Sequence, residues 1–166
     1  MPELQRLRAD HAPALLAFER ANRAFFAATV PDRGDDYFTG FAARHEALLA
    51  EQAAGTCHFH LLVAEDSGEV LGRFNLVDVA DGAADLGFRL AESATGRGLA
   101  TSTVRRLFTL CSTTYALTTL RAAATVTNTA SRAVLTRTGF APTGEEVLLS
   151  GKRGLAYLRE LSTVKP

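Results

Sequence analysis

The amino-acid sequence predicts an α/β fold in which a mixed sheet is flanked by helices. Two observations support this prediction. Segments whose apolar residues recur at the helical period alternate with strand-like segments, in the order β-α-α-β-β-β-α-β-α-β-β. The chain has 166 residues, of which 47% are hydrophobic, and this is enough to bury one sizeable core. We therefore expect a single domain over residues 1–166.

The first 55 residues are predicted to be mainly helical. A short strand over residues 3–8 precedes a helix over residues 11–28, and Asp10 is a typical N-cap for that helix. A break at Val30-Pro31-Asp32-Arg33-Gly34 separates it from a second helix over residues 35–53. Gly55 follows as a common helix end signal.

After Gly55 the sequence becomes strand-like, with short apolar segments separated by turn residues. Residues 57–65 and 69–78 flank the turn Asp66-Ser67-Gly68 and so predict a hairpin. The remaining predicted elements are a strand over residues 84–91, a long amphipathic helix over residues 97–115, a strand over residues 120–126, a helix over residues 131–138, and a strand pair over residues 140–150 and 154–161.

Composition narrows the class of protein. The 18 basic and 18 acidic side chains balance, which argues against a dedicated nucleic-acid binder. Cys57 and Cys111 are the only cysteines, and the sequence shows no secretory signal and no apolar run of about 20 residues. These features predict a cytoplasmic protein with reduced thiols that does not bind membranes.

The first motif is the segment Gly96-Arg97-Gly98-Leu99-Ala100, which joins a predicted strand to the long helix. Glycines let the backbone approach a ligand closely, and the first turn of a helix presents unpaired N–H donors to an anion. The segment therefore suits a phosphate or pyrophosphate. Taken alone it is equally typical of a tight turn. It lacks the third glycine of a dinucleotide-binding loop and the Gly-Lys-Ser/Thr of a nucleotide P-loop.

The second motif runs from Asn128 through Ser131 to Gly139-Phe140. Asn128 is a good N-cap and Gly139 a typical C-cap, so capping alone explains either residue. Together, however, the two motifs resemble the pyrophosphate signature and the N-x-x-S … G-F element of the GNAT acetyltransferase superfamily. The resemblance extends over essentially the whole chain. Ser93 departs from it, because the first position of the signature is usually Gln or Arg.

Within this superfamily the chain looks closest to the ribosomal-protein alanine N-acetyltransferase branch, through Asn22-Arg23-x-Phe25-Phe26, Tyr37-Phe38 and Leu86-Gly87-Phe88. The resemblance implies a mostly antiparallel sheet with a splayed central strand pair. It also implies an enzyme that moves an acetyl group directly from acetyl-CoA, its cosubstrate, to a primary amine. Many members of the superfamily dimerise, so a homodimer is possible.

The resemblance also assigns roles to residues. Pantetheine is expected on the backbone of Phe88, Arg89 and Leu90. The other expected cofactor-binding residues are Gly96, Arg97, Gly98, Leu99, Ala100 and Thr101 for the pyrophosphate, and Asn128, Ser131 and Arg132. Asp85 is the expected general base, with Glu92 as the weaker alternative. Ser131 is expected to stabilise the departing thiolate, because the tyrosine of many relatives is Leu135 here.

The acceptor stays open at this point. Phe25, Tyr37 and Phe38 are expected to wall its pocket, although aromatic residues at helical spacing also suit a core. One alternative acceptor is the α-amine of a protein or peptide, and another is a small antibiotic or metabolite amine, for which Asp32, Asp35 and Asp36 offer an acidic rim. A third reading is a non-catalytic acyl-CoA sensor. His58 and His60 share a strand face, but with no third ligand nearby we expect no metal.

Overall fold

The computed structural model describes residues 1–161, which form a seven-stranded mixed sheet with helices. The strand order is β1-β2-β3-β4-β5-β7-β6. The strands are β1 Glu3–Arg6, β2 His58–Val63, β3 Val70–Ala80, β4 Ala83–Leu90, β5 Thr119–Thr125, β6 Ala141–Leu149 and β7 Lys152–Glu160. The predicted sequence of strands is confirmed.

The helices follow the prediction with one consistent difference, which is that each of the first two predicted helices is divided. The described helices are α1 Ala12–Ala21, α2 Arg23–Ala27, α3 Asp35–Thr39, α4 Phe41–Ala53, α5 Leu99–Thr113 and α6 Thr129–Arg137. Asn22 separates α1 from α2, because its φ of −107° and ψ of 9° lie outside the helical range. Its side-chain Nδ2 donates to the Phe18 carbonyl, as its own backbone N–H also does. Gly40 separates α3 from α4. Asp10 is not the N-cap of α1, since it lies in a short 3-10 turn and His11 occupies that position.

Backbone contacts group the chain into two units. The first comprises Met1–Asn75 with Phe88–Arg97, and the second comprises Leu76–Gly87 and the described chain from Gly98 onward. Strands β3 and β4 run through both units. The fully buried core side chains of the first unit include Leu15, Leu61, Leu62 and Phe74, and those of the second include Leu76, Leu107, Leu120 and Leu135.

The second unit contains the parallel strand pair of the sheet. Strand β4 pairs with β5 from Ala83 opposite Thr119 to Asp85 opposite Arg121, and the register ends there although both strands continue. Strand β7 pairs antiparallel with both β5 and β6. The predicted splayed pair is therefore β4 and β5. None of the helices within residues 1–161 is long and apolar enough to cross a membrane.

The two histidines of β2 are buried, with His58 9% and His60 1% exposed. Burial, opposed by a backbone hydrogen bond at Phe74, lowers the pKa of His60 to about 4. Within residues 1–161 no group of three His, Cys, Asp or Glu side chains is arranged to hold a metal ion. His60 is thus a neutral core side chain at pH 7.

We expect His60 to make the protein acid-labile. Because the unfolded chain binds a proton near pH 6.5 and the folded chain only near pH 4, stability is lost as the pH falls through that window, by about 1.4 kcal/mol per pH unit. Urea unfolding at pH 6.5 and pH 5 measures this slope. His60→Gln should reduce the slope, and equal slopes in the two proteins would contradict the assignment.

Candidate active site

The N-terminus of helix α5 is open. Gly98 is its N-cap in the left-handed conformation, with φ of 72°, and no side chain caps the helix. Two positions earlier, Gly96 also has a positive φ, of 77°. The first turn of α5 holds no acidic residue of its own that would neutralise its N–H donors and the positive end of the helix dipole. This arrangement can bind an anionic group through the backbone.

The end of strand β4 uses its side chains in packing. Phe88 stacks on Phe74 at a centroid distance of 5.9 Å and 11° between the rings. A Cβ at Gly72 would lie 3.0 Å from Leu90 Cδ1 and 3.1 Å from the Arg89 carbonyl oxygen, so only glycine fits there. The side chains of Phe88 and Leu90 are therefore committed to the first unit, and what these two residues can offer a ligand is their backbone.

Asp85 lies on the paired part of β4 and forms an ion pair with its register partner. Arg121 Nε donates to Asp85 Oδ1 at 2.6 Å. The two side chains are 40% and 46% exposed, so the pair is solvated. The expected base is thus accessible, with one of its oxygens already bonded.

The N-terminus of helix α6 is capped as its sequence predicts. Asn128 Oδ1 accepts a hydrogen bond from the Ser131 backbone N–H at 3.2 Å. Within residues 1–161, however, the Ser131 hydroxyl has no hydrogen-bond partner, and the residue is half-buried. The side chain of Asn128 therefore serves the helix, whereas the hydroxyl of Ser131 is available to a ligand.

Arg132 points back into the second unit. Its Nε donates to the Tyr157 hydroxyl at 3.2 Å, and its Nη1 donates to the Val126 carbonyl at 3.0 Å. Tyr157 is 3% exposed. The Arg132 guanidinium thus ties the start of α6 to the ends of strands β5 and β7, and its Nη2 retains donors for a ligand.

The first unit contains a buried carboxylate surrounded by three guanidiniums. Glu19 is 1% exposed, and its Oε1 accepts from Arg73 Nη1 at 2.8 Å. Arg33 donates to both Glu19 oxygens at 3.2 and 3.3 Å, and Arg89 Nη1 donates at 3.4 Å. Arg73 also donates to the Tyr37 hydroxyl at 3.2 Å. The sequence predicted only a backbone role for Arg89, and its side chain has a second one as a donor to Glu19.

The expected acidic rim is paired with arginine. Arg23 donates to both oxygens of Asp32 at 2.9 and 2.8 Å, and to Asp35 Oδ1 at 2.9 Å. The Arg23 hydrogen bond lowers the pKa of Asp32 to about 2. Two of the three rim carboxylates are therefore not available to a cationic ligand.

Three arginine side chains of this region lie over aromatic rings. Arg23 lies over the Phe38 ring at 4.6 Å, Arg33 over the Tyr37 ring at 4.5 Å, and Arg89 over the ring of Phe26 at 4.6 Å. A small cavity, with room for about one water molecule, is lined by the predicted wall residue Phe38 and by Phe26. The other two predicted wall residues, Phe25 and Tyr37, do not line it.

Residues 3–141 match the family model of the acetyltransferase (GNAT) domain. The match covers most of the chain. The chain belongs to the GNAT acetyltransferase family. It is accordingly an N-acetyltransferase with acetyl-CoA as its cosubstrate, as the two motifs predicted. No curated protein matches the sequence significantly.

Solved structures of other GNAT proteins share the fold. The ribosomal-protein-S5-alanine acetyltransferase from Vibrio fischeri is 18% identical with a TM-score of 0.90, covering 99% of this chain and 96% of its own. RimJ of Mycobacterium smegmatis in complex with CoA-disulfide is 25% identical with a TM-score of 0.83, and the match covers 95% of this chain and 80% of RimJ. A Salmonella typhimurium acetyltransferase that modifies the N-terminal serine of L7/L12 is 21% identical with a TM-score of 0.84, and the match covers 97% of this chain and 95% of that protein. At these identities the likeness concerns the fold.

Sequence analysis of this GNAT protein missed Glu19 and Arg73. A signal for Glu19 was present, since it lies four residues after Leu15 and one after Phe18, on the apolar stripe of the first helix. A charged residue on such a stripe is almost never buried without a partner. Arg73 lies in the apolar strand β3, where the same argument applies. What the sequence could not provide was the pairing between the two.

Proposed function

We propose that this protein acetylates the N-terminal α-amine of a protein or peptide. The observation that carries the proposal is the uncapped first turn of α5, entered through Gly96 and Gly98. Among residues 1–161, beyond each glycine's chain neighbours, no heavy atom lies within 4 Å of a Cβ built at either position, so an anionic ligand has room there. We assign the pyrophosphate of acetyl-CoA to the N–H groups of Gly98, Leu99, Ala100 and Thr101, with Arg97 adding charge.

The chemistry needs a neutral amine and a protonated leaving group. The amine nitrogen bonds to the acetyl carbon and loses a proton to the base, while the carbon–sulfur bond breaks and the released thiolate takes up a proton from water. An α-amine of pKa ~8 is only about one tenth neutral at pH 7, so a base helps. We assign this role to Asp85, whose Oδ2 is left to accept a proton while Oδ1 holds Arg121. The Ser131 hydroxyl is assigned to the sulfur as a hydrogen-bond donor.

The charges of the first unit favour a peptide α-amine over a small polycationic amine. A polyamine acceptor requires several carboxylates without partners. Here Asp32 and Asp35 are held by Arg23, and Glu19 is held by three arginines. The names of the Vibrio and Salmonella relatives, which refer to a ribosomal-protein alanine and to the N-terminal serine of L7/L12, support the same choice.

Because such an acceptor is a cytoplasmic one, we propose that the protein acts in the cytoplasm. We also propose that residues 1–166 form one N-acetyltransferase domain. Light scattering of the purified chain distinguishes a monomer from the homodimer that the family resemblance leaves open.

Calorimetric titration with acetyl-CoA and with free CoA tests the cofactor assignment. We expect micromolar binding of both. Peptides with free and with N-terminally blocked amines, and a panel of small amines, are then compared by release of the CoA thiol. Turnover of the free peptides alone supports the proposal, and turnover of small amines alone replaces it by the small-molecule alternative. Binding without any turnover indicates the non-catalytic sensor.

Replacing the two proposed catalytic residues should lower turnover while the protein still binds the cofactor. We expect Asp85→Asn to reduce kcat by about 100-fold or more, as for loss of a general base, and Ser131→Ala by about 10-fold or more. The acetyl-CoA Kd should change by less than about 3-fold for Asp85→Asn, whose side chain is not assigned to the cofactor, and by no more than about 10-fold for Ser131→Ala, because one neutral hydrogen bond contributes only about 1 kcal/mol. Glu146→Gln, in an exposed ion pair with Arg153, is the control. Unchanged turnover in both variants would remove these assignments.

A further inference from the structure

The cluster around Glu19 carries more positive charge than its structural role requires. The cluster consists of one carboxylate, Glu19, and three guanidiniums, those of Arg33, Arg73 and Arg89. The adjoining rim has the opposite excess, with Arg23 among the carboxylates of Asp32, Asp35 and Asp36. A carboxylate from a ligand would therefore be attracted to the cluster and not to the rim.

The distances show which arginines are free to bind such a ligand. The Arg73–Glu19 bond of 2.8 Å has the length of a strong charge-assisted hydrogen bond, and both side chains are almost fully buried. The bonds from Arg33 and Arg89 to Glu19 are longer, at 3.2 to 3.4 Å. Arg73 therefore compensates most of the charge of Glu19. Arg33 keeps its Nη1 donors and Arg89 keeps its Nε and Nη2 donors for another acceptor.

The same two arginines line the cavity and are held in place before any ligand arrives. Arg33 and Arg89 are 31% and 24% exposed, and both line this small cavity. Their guanidiniums lie over the rings of Tyr37 and Phe26, which reduces the entropy lost on binding. Burial is the larger cause of the lowered pKa of Arg89, and the charge of Arg33 is a smaller one, which an added anion would offset.

We propose that Arg33 and Arg89 bind a carboxylate of the acceptor, so that the preferred acceptor is a peptide with an acidic residue at its first or second position. This inference rests on the proposed function, because Arg89 lies on the segment of β4 assigned to pantetheine and its side chain extends from there to the cavity. A carboxylate of the acceptor at this cavity would meet the free donors of both guanidiniums.

Paired peptides test the inference directly. Ser-Glu-Ala-Ala-Ala is compared with Ser-Gln-Ala-Ala-Ala, and Glu-Ser-Ala-Ala-Ala with Gln-Ser-Ala-Ala-Ala, all C-terminally amidated. Both the Kd for the protein saturated with CoA and the KM with acetyl-CoA are measured. In at least one pair we expect the acidic peptide to bind about 10- to 100-fold more tightly, the range for charge-assisted hydrogen bonds. Equal binding within each pair, or binding of no peptide, overturns the inference.

A variant separates ligand binding from a merely structural role. Arg33→Gln should reduce the preference to less than about 3-fold, because Glu19 keeps Arg73 and Arg89 while the ligand loses its more exposed partner. Arg153→Gln, which removes an exposed arginine of the second unit, should leave the preference intact. A preference that survives Arg33→Gln overturns the inference. Loss of acetyl-CoA binding in the unmodified protein would instead overturn the proposed function.

Discussion

Replacing Gly98 by leucine should abolish acetyl-CoA binding while the protein remains folded. Gly98 has φ of 72° and begins helix α5, so a leucine there costs about 1–2 kcal/mol of backbone strain. Beyond its chain neighbours, no heavy atom of residues 1–161 lies within 4 Å of the added Cβ, so the fold can accept the side chain. The same side chain would occupy the space assigned to the pyrophosphate. Losing two charge-assisted hydrogen bonds predicts a Kd at least about 100-fold higher in calorimetric titration.

Gly68 provides a matched control for this experiment. It has the same φ of 72°, in the turn between β2 and β3, and also has no heavy atom within 4 Å of a built Cβ. Gly68→Leu should therefore introduce similar strain, with a similar loss of stability in urea unfolding, and leave the acetyl-CoA Kd unchanged. If Gly98→Leu binds acetyl-CoA as tightly as Gly68→Leu does, the start of α5 is only a tight turn.

Local sequence signals were sufficient for most of the fold. The succession of strands along the chain was predicted from turn residues such as Gly68 and Gly151. Both glycines have positive φ angles and lie where the sequence predicts turns. The split of the first helix was not predictable, because it depends on a distant partner. Asn22 Oδ1 accepts from the Glu92 N–H, which fixes the side chain that interrupts the helix. A helical period contains no information about residues 70 positions away.

The candidate site could likewise be predicted from the sequence only in part. The glycines and capping residues at the starts of α5 and α6 could be found because their function depends on local backbone geometry, which short motifs encode. The arginine cluster could not be assembled from sequence, because Glu19, Arg33, Arg73 and Arg89 come from separate segments. Similarly, nothing near Asp85 in the sequence indicates its pairing with Arg121, which follows from the register of β4 and β5.

Removing the carboxylate of Glu19 should destabilise the protein strongly. Glu19→Gln keeps the shape of the side chain but leaves the guanidinium of Arg73, which is 6% exposed, without its counter-charge. Breaking a buried ion pair in this way costs about 3–5 kcal/mol, whereas an exposed pair contributes at most about 1 kcal/mol. Urea unfolding at pH 7 measures the free energy of unfolding. Glu146→Gln makes the same chemical change in an exposed pair and should have little effect. Equal effects of the two substitutions would contradict the description of a buried charge cluster.

A double-mutant cycle then identifies the arginine that compensates Glu19. The hydrogen-bond lengths predict a larger coupling energy between Glu19 and Arg73 than between Glu19 and Arg33, because the first bond is shorter and fully desolvated. A strong coupling to Arg73 and a weak one to Arg33 would mean that Arg33 retains charge for a ligand. The reverse result would mean that Arg33 serves the fold, and it would remove the physical basis for an acceptor carboxylate at this cavity.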